Sequence, residues 1–185
     1  MANGRRTRRD FYDAAFAVLE DGGFPALTVA GLCERLAVTR GSFYHHFDSF
    51  DSFVTELLTD WETRYSRDLI TRAETIPDLV SRLRYQMELA AAMPHAAEAA
   101  LRAWASVHPA VAAAQRRIDR LRYDYLAGLL IAHGVSAREA EAFSSLALSA
   151  LVGFQMTEEP GNVSKLLVMF EYLIGCLTNH AGKLG

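Results

Sequence analysis

Between Thr39 and His46 the chain places two hydroxyls, a guanidinium, a phenol and two imidazoles in one short run, Thr39-Arg40-Gly41-Ser42-Phe43-Tyr44-His45-His46. These groups donate and accept hydrogen bonds, and none forms a nucleophile–base pair. The chemistry they suit is contact with base edges and phosphate oxygens. Arg presents a planar fork that matches guanine O6 and N7, so Arg40 is the candidate for direct readout. A plain phosphate contact explains Arg40 equally well. Small residues at Gly41 and Ser42 would let a helix approach the bases closely. Thr39, with the helix start it caps, suits a phosphate oxygen. His45-His46-x-Asp48 invites a metal reading. However, adjacent helical residues point about 100° apart and no Glu or Cys follows at the right spacing, so no metal site is expected. His95, His108, His133 and His180 are scattered near helix ends. No glycine-rich phosphate loop and no G-x-S-x-G motif occurs, and neither a catalytic residue nor a cofactor is expected.

The surrounding pattern says how these residues would be held. In Leu27–Phe47 two short helices, Val29–Leu36 and Arg40–Phe47, are separated by a tight Ala37-Val38 turn, with Thr28 and Thr39 as their caps. Leu32, Leu36, Val38 and Phe43 would pack inward. Arg40, Gly41, Ser42, Tyr44 and His45 would project outward. That is helix-turn-helix logic, in which the second helix enters a major groove. A helix over about 6–20 precedes the pair. The rest of the chain shows helical periodicity punctuated by Pro77, Pro94, Pro109 and Pro160. A fourth helix starts at Asp48 or Ser49 and reaches about 73. Thr75-x-x-Asp78 opens a fifth. A sixth starts near Pro94 and a seventh near Pro109, the latter ending at Gly134. Ser136-x-x-Glu139 caps an eighth, and a ninth follows the Glu159–Asn162 turn. No strand signal competes, so the fold class is all-α with about nine helices.

Composition agrees with a folded chain that needs no staples. The sequence has 185 residues, 51% apolar and 22% charged, with a formal net charge of −3. An acidic body excludes a wholly basic nucleic-acid binder but leaves room for a basic patch. Residues 1–9 hold four Arg and no acid: Arg5, Arg6, Arg8 and Arg9. Such an arm is either a solvated terminus or a set of phosphate contacts. A disulfide framework or zinc site needs more ligands at tighter spacing than Cys33 and Cys176 offer, which fits a reducing cytoplasm. The longest uncharged apolar stretch, 142–157, is too short and too polar to span a membrane.

With these residues in view, the sequence resembles the tetracycline-repressor-type (TetR/AcrR) transcriptional regulators. The likeness rests on the Arg-rich first helix, Leu27-Thr28, and Val38-Thr39-Arg40-Gly41-Ser42-Phe43-Tyr44-His45-His46-Phe47 before a long helix. At motif level it covers about residues 5–60. It implies that Thr28 and Thr39 cap helices and touch phosphate, and that Arg40, Gly41 and Ser42 face bases. Tyr44 and His45 would reach bases and backbone, and His46 would pin backbone at the helix end. Arg5, Arg6 and Arg8 would form a basic arm. One departure is Phe50, where such regulators often carry Lys. The implied organisation is a three-helix helix-turn-helix domain, residues 1–48, followed by a helical ligand-binding and dimerisation domain, residues 49–185.

The body of the chain is read in that frame. Trp61, Tyr65, Tyr85, Met87, Trp104, His108, Tyr123 and Phe154 lie on otherwise apolar stripes. Each could be ordinary core, and a pocket somewhere among them rests mostly on the resemblance. Few charges share these faces, so the expected small-molecule effector is largely apolar. Phe143, Leu146, Ala150 and Gly153 form one stripe on the eighth helix, and Leu166, Phe170, Leu173 and Ile174 form another on the ninth. A four-helix bundle between two copies explains both, as would a buried helix in a monomer. The expectation is a cytoplasmic, homodimeric regulator, a repressor released from a palindromic operator in double-stranded DNA. The alternatives are a regulator without a small-molecule ligand and a helical protein–protein adaptor. A small all-α enzyme lacks any reactive set that can be named.

Overall fold

The computed structural model describes residues 6–158 and 162–181, so residues 159–161 of the turn expected at Glu159–Asn162 lie outside the described residues. The architecture is the expected all-α one, with nine helices among the described residues. None is long and apolar enough to cross a membrane.

Local chemistry sets the helix boundaries. Helix α1, Arg8–Gly22, starts at a capping box: Thr7 Oγ1 accepts from the Asp10 N–H, and Asp10 returns a 2.6 Å bond to the Thr7 N–H. It stops at Gly23, whose φ of 68° suits glycine. After a 3-10 turn, Phe24–Ala26, comes α2, Val29–Leu36, capped by Thr28. Its end is the turn of the helix pair. Ala37 takes a left-handed conformation, φ 53° and ψ 48°, and Val38 N–H bonds back to Cys33 O at 2.9 Å. Thr39 then caps α3, Arg40–His46. Ser49 and Ser52 cap each other's backbone N–H at 3.0 Å, so Ser49 rather than Asp48 begins α4.

Helix α4 contains a feature that the periodicity did not announce. Phe50–Glu62 is α-helical, Thr63–Arg67 is a π turn, and Asp68–Glu74 is α-helical again. Helix α5 is Leu79–Ala91. Its cap is Asp78, whose carboxylate accepts from Ser81 N–H at 2.8 Å, so Asp78 replaces the expected Thr75. The sequence misled because both residues are good caps three positions apart. Helix α6 is His95–Ala105 and α7 is Pro109–Ala132. Helix α8, Ala137–Thr157, is capped by Ser136, and α9 is Val163–Ala181.

The helices form two compact units. One holds the residues up to Trp61 together with Pro94–Gln115; the other holds Glu62–Met93 and the residues from Arg116 on. The first is built on aromatic rings. Phe11, Phe43, Phe47 and Phe53 are fully or almost fully buried, with Phe47 and Phe53 at 4.9 Å between centroids and Phe43 and Phe47 at 5.1 Å. Helix α6 packs on α1 in this unit, and Trp104 lies parallel to Phe24. In the second unit α9 packs against α5 and α8, and the later part of α4 packs against α5. Leu83, Leu130, Phe154, Leu166 and Ile174 form its centre. Each unit buries a continuous apolar core, the dominant favourable term in folding.

Candidate functional site

The first unit presents α3 as an exposed ridge on an aromatic base. Phe43, fully buried, and Phe47 anchor it from below. Arg40, Gly41, Tyr44 and His45 are exposed, Ser42 is half-buried, and Tyr44 keeps 53% of its surface in solvent. Positions 40, 41, 44 and 45 fall on one helical face, so one short helix offers a guanidinium, a phenol and an imidazole together. A methyl group at Gly41 would meet only Thr39 Oγ1, at 3.6 Å, so that face is open. Thr28 and Thr39 are exposed at the starts of α2 and α3, where their hydroxyls accept from Gly31 N–H and Ser42 N–H. His46 is half-buried, its ring 5.5 Å from that of Phe11. The close approach of α2 to the preceding turn requires Gly31, because a Cβ there would stand 2.9 Å from Ala26 O.

The described arginines of the basic arm have partners within the first unit. Arg6 donates to Leu36 O at 3.1 Å, at the end of α2. Arg8 pairs with Glu56 and lies over the Phe47 ring, 5.2 Å from its centroid. Arg9 pairs with Asp60 at 2.9 Å. Tyr12 adds a 2.7 Å bond to the same Glu56, and burial, helped by that bond, pushes the phenol up to about 12. Arg5 lies outside the described residues. The sequence carried a signal for this brace, since Glu56 and Asp60 stand one turn apart on α4. The charge count over residues 1–9 alone could not see it.

The second unit encloses a narrow cavity of about 60 Å³. Its walls come from α4, α5, α7, α8 and α9, mostly apolar, with Leu69, Met87, Met93, Leu126, Leu151 and Phe170 among them. Of the eight aromatic and polar candidates, Tyr65 and Met87 line it. Phe154 is buried in the core of the same unit, Tyr85 accepts from Arg72 at 3.2 Å, and Tyr123 is half-buried on α7. Trp61, Trp104 and His108 belong to the first unit. There Trp61 donates to Glu98, and the His108 ring sits 5.2 Å from Trp104. Three polar wall residues, Ser66, Gln86 and Arg122, were not among the candidates. Arg122 donates through Nε to Ser66 Oγ at 3.1 Å and through its terminal nitrogen to Tyr65 O at 3.0 Å. Both acceptors lie in the π turn, where the wider helical ring leaves carbonyls to be satisfied from outside. A tertiary contact of this kind has no local sequence signature.

The last two helices each divide into two faces. Phe143, Leu166, Phe170 and Ile174 are buried in the core of the second unit. Leu146, Ala150 and Leu173 line a shallow apolar groove between α8 and α9, together with Val168, Met169 and Tyr172. Leu146, Val168 and Tyr172 are 56%, 69% and 73% exposed. Gly153 is half-buried, with nothing near the position of a Cβ. Among the described residues, no three His, Cys, Asp or Glu side chains gather where they could hold a metal ion.

Residues 11–57 match the model of the bacterial regulatory proteins of the tetR family. Over 56 residues the chain is 39% identical to the HTH-type transcriptional repressor KstR2 of Rhodococcus jostii, a match that spans 30% of this chain and 26% of that repressor. The fold as a whole is similar to that of a transcriptional regulator from Rhodococcus sp. Rha1, with a TM-score of 0.80, 19% identity and coverage of 95% and 97% of the two chains. It is also similar to a TetR transcription regulator from Haloarcula marismortui, with a TM-score of 0.75, 17% identity and coverage of 91% and 96%. Residues 11–57 are thus similar to the bacterial regulatory proteins of the tetR family, and the chain as a whole has a fold like that of these transcriptional regulators.

Proposed function

We propose that the chain is a homodimeric, DNA-binding transcriptional repressor of the cytoplasm, released from a palindromic operator by a small, largely apolar ligand. The observation that carries this reading is the exposed face of α3, where Arg40, Gly41, Tyr44 and His45 stand together on an aromatic base within the segment that matches the tetR family. The DNA-binding domain is residues 1–48, with Ser42 facing the bases beside Arg40 and Gly41, and with Thr28, Thr39 and His46 adding backbone contacts. A rigid recognition helix of this kind specifies bases, while contacts at its flanks fix register. Two heads held by one dimer read half-sites about 34 Å apart, which is why the operator would be an inverted repeat. The apolar groove of α8 and α9 supports the dimer, since an exposed patch of this kind marks an interaction surface. The cavity of the second unit supports the ligand. An occupant that binds best when the heads no longer fit the operator would shift the population toward release.

The test is selection of bound sites from random duplexes with the purified full chain, followed by titration of the winning site against salt. An enriched inverted repeat, with affinity falling steeply as salt rises, is the expected outcome. A folded protein that enriches no duplex would sink the reading.

A further inference from the structure

Resting on the reading of the cavity as an effector site, we infer that its ligand is an apolar molecule carrying one hydrogen-bond donor, a hydroxyl or N–H, which pairs with Gln86 Oε1. Helix α5 turns Leu83, Gln86, Met87 and Ala90 to one side at helical spacing, and the last three line the cavity. Gln86 Oε1 is out of solvent and has no hydrogen-bond partner among the described residues. A buried acceptor left in this state is costly and uncommon in native proteins. The other polar wall groups are engaged: Ser66 Oγ accepts from Arg122, and Arg122 also holds the Tyr65 carbonyl. Gln86 is therefore the wall residue whose pairing the chain itself leaves incomplete. A donor from a ligand completes it, and an apolar ligand of the same shape leaves it unmet.

The cavity as it stands is smaller than the ligand inferred here, so its walls must widen. Its space of about 60 Å³ is ample for water or a small functional group. A ring system must displace wall atoms. Met87 and Met93 are the residues able to yield, because the unbranched thioether repacks at low cost. The expected ligand is thus a compact amphipathic ring or short chain, with its donor at one edge.

Three probes of nearly one shape separate the possibilities. Indole offers an N–H donor, indene offers neither donor nor acceptor, and benzofuran offers an acceptor. Calorimetric titration of the full chain is expected to show indole bound about tenfold more tightly than indene or benzofuran. In Gln86→Leu the preference for indole is expected to shrink to within about twofold, with indene bound at least as well as before. Equal binding of indole and indene by the unaltered chain would overturn the inference. So would preference for benzofuran, an undiminished preference in the variant, or no binding of any probe at millimolar concentration. Operator affinity is measured in parallel. Binding of indole through Gln86 without any change in operator affinity would remove ligand release from the proposed function and leave the donor specificity standing. Operator binding with no probe bound would do the reverse.

Discussion

The indole N–H of Trp61 donates to the Glu98 carboxyl at 2.8 Å, and both side chains are wholly removed from solvent. This bond ties α4 to α6 within the first unit. A polar link buried this deeply specifies one arrangement of the two helices, because any slip leaves a buried group unmatched.

Replacing Trp61 by Phe therefore removes a donor and opens a gap together. Hydrogen bonds to a charged or strongly polar buried group are worth about 1.5–3 kcal/mol, so Trp61→Phe is expected to lose at least that much in urea unfolding. A loss under about 0.5 kcal/mol would mean that the bond contributes little.

The Arg8–Glu56 pair makes the basic arm partly self-neutralised. Glu56→Gln removes the carboxylate charge that holds Arg8 and leaves it available to phosphate. The expected result is tighter nonspecific DNA binding, with a salt slope steeper by about 1 for the one arginine recruited. An unchanged slope would show that Arg8 stays on the protein when DNA is bound.

Tyr12 gives a pH signature at the same brace. Its phenol has a pKa of about 12 in the folded chain against an ordinary 10.0, because burial and the bond to Glu56 disfavour the phenolate. The folded state thus holds a proton that the unfolded state releases, so this stabilisation is complete below pH 10 and is lost as pH rises toward 12. Thermal unfolding midpoints should fall more steeply over that window for the unaltered chain than for Tyr12→Phe. Identical slopes would contradict the assignment.

Gly31 is the tight point of the helix pair. An added methyl would press on Ala26 O at 2.9 Å, a backbone atom that cannot turn aside. Gly31→Ala is expected to cost about 1–3 kcal/mol by the usual penalty of overpacking. A variant as stable as the parent would show that the Phe24–Ala26 turn yields freely.

The apolar groove on α8 and α9 makes the dimer testable without DNA. Leu146→Glu places a charge on it while leaving the buried faces of both helices intact. Sedimentation should show a dimer for the parent at micromolar concentration and a monomer for the variant. A parent that sediments as a monomer would end the dimer proposal.

Much of the fold could be read from single residues. Thr28 and Thr39 mark the starts of α2 and α3, and Pro94 and Pro109 mark α6 and α7. Caps and prolines act over a few residues, so they are visible locally. What was not visible depends on distant partners. Arg8 reads in sequence as either a solvated terminus or a phosphate contact, and its pairing with Glu56 depends on a residue 48 positions away. For Trp61 and Trp104 the sequence leaves pocket and core both open, and only distant partners show one tied to Glu98 and the other stacked on Phe24. The stripe on α9 looked uniform because apolar residues cover both of its faces, and only packing separates Phe170 from Tyr172. Gln86 carried no signal, since a polar residue on an amphipathic helix is ordinary until its oxygen is found without a partner.

The π turn at Thr63–Arg67 also governs how this chain must be laid beside others. A π turn holds one residue more than the α-helical ring it replaces, so the residues before and after it do not share one 3.6-residue phase. A relative whose corresponding helix is uninterrupted would match this one only with a single-residue gap inside the helix, where gaps are seldom placed. Aligned without that gap, one half of α4 would be displaced by one position. Tyr65 and Ser66 would then be compared with residues that face another way, and a likeness in the cavity wall would be scored as a difference.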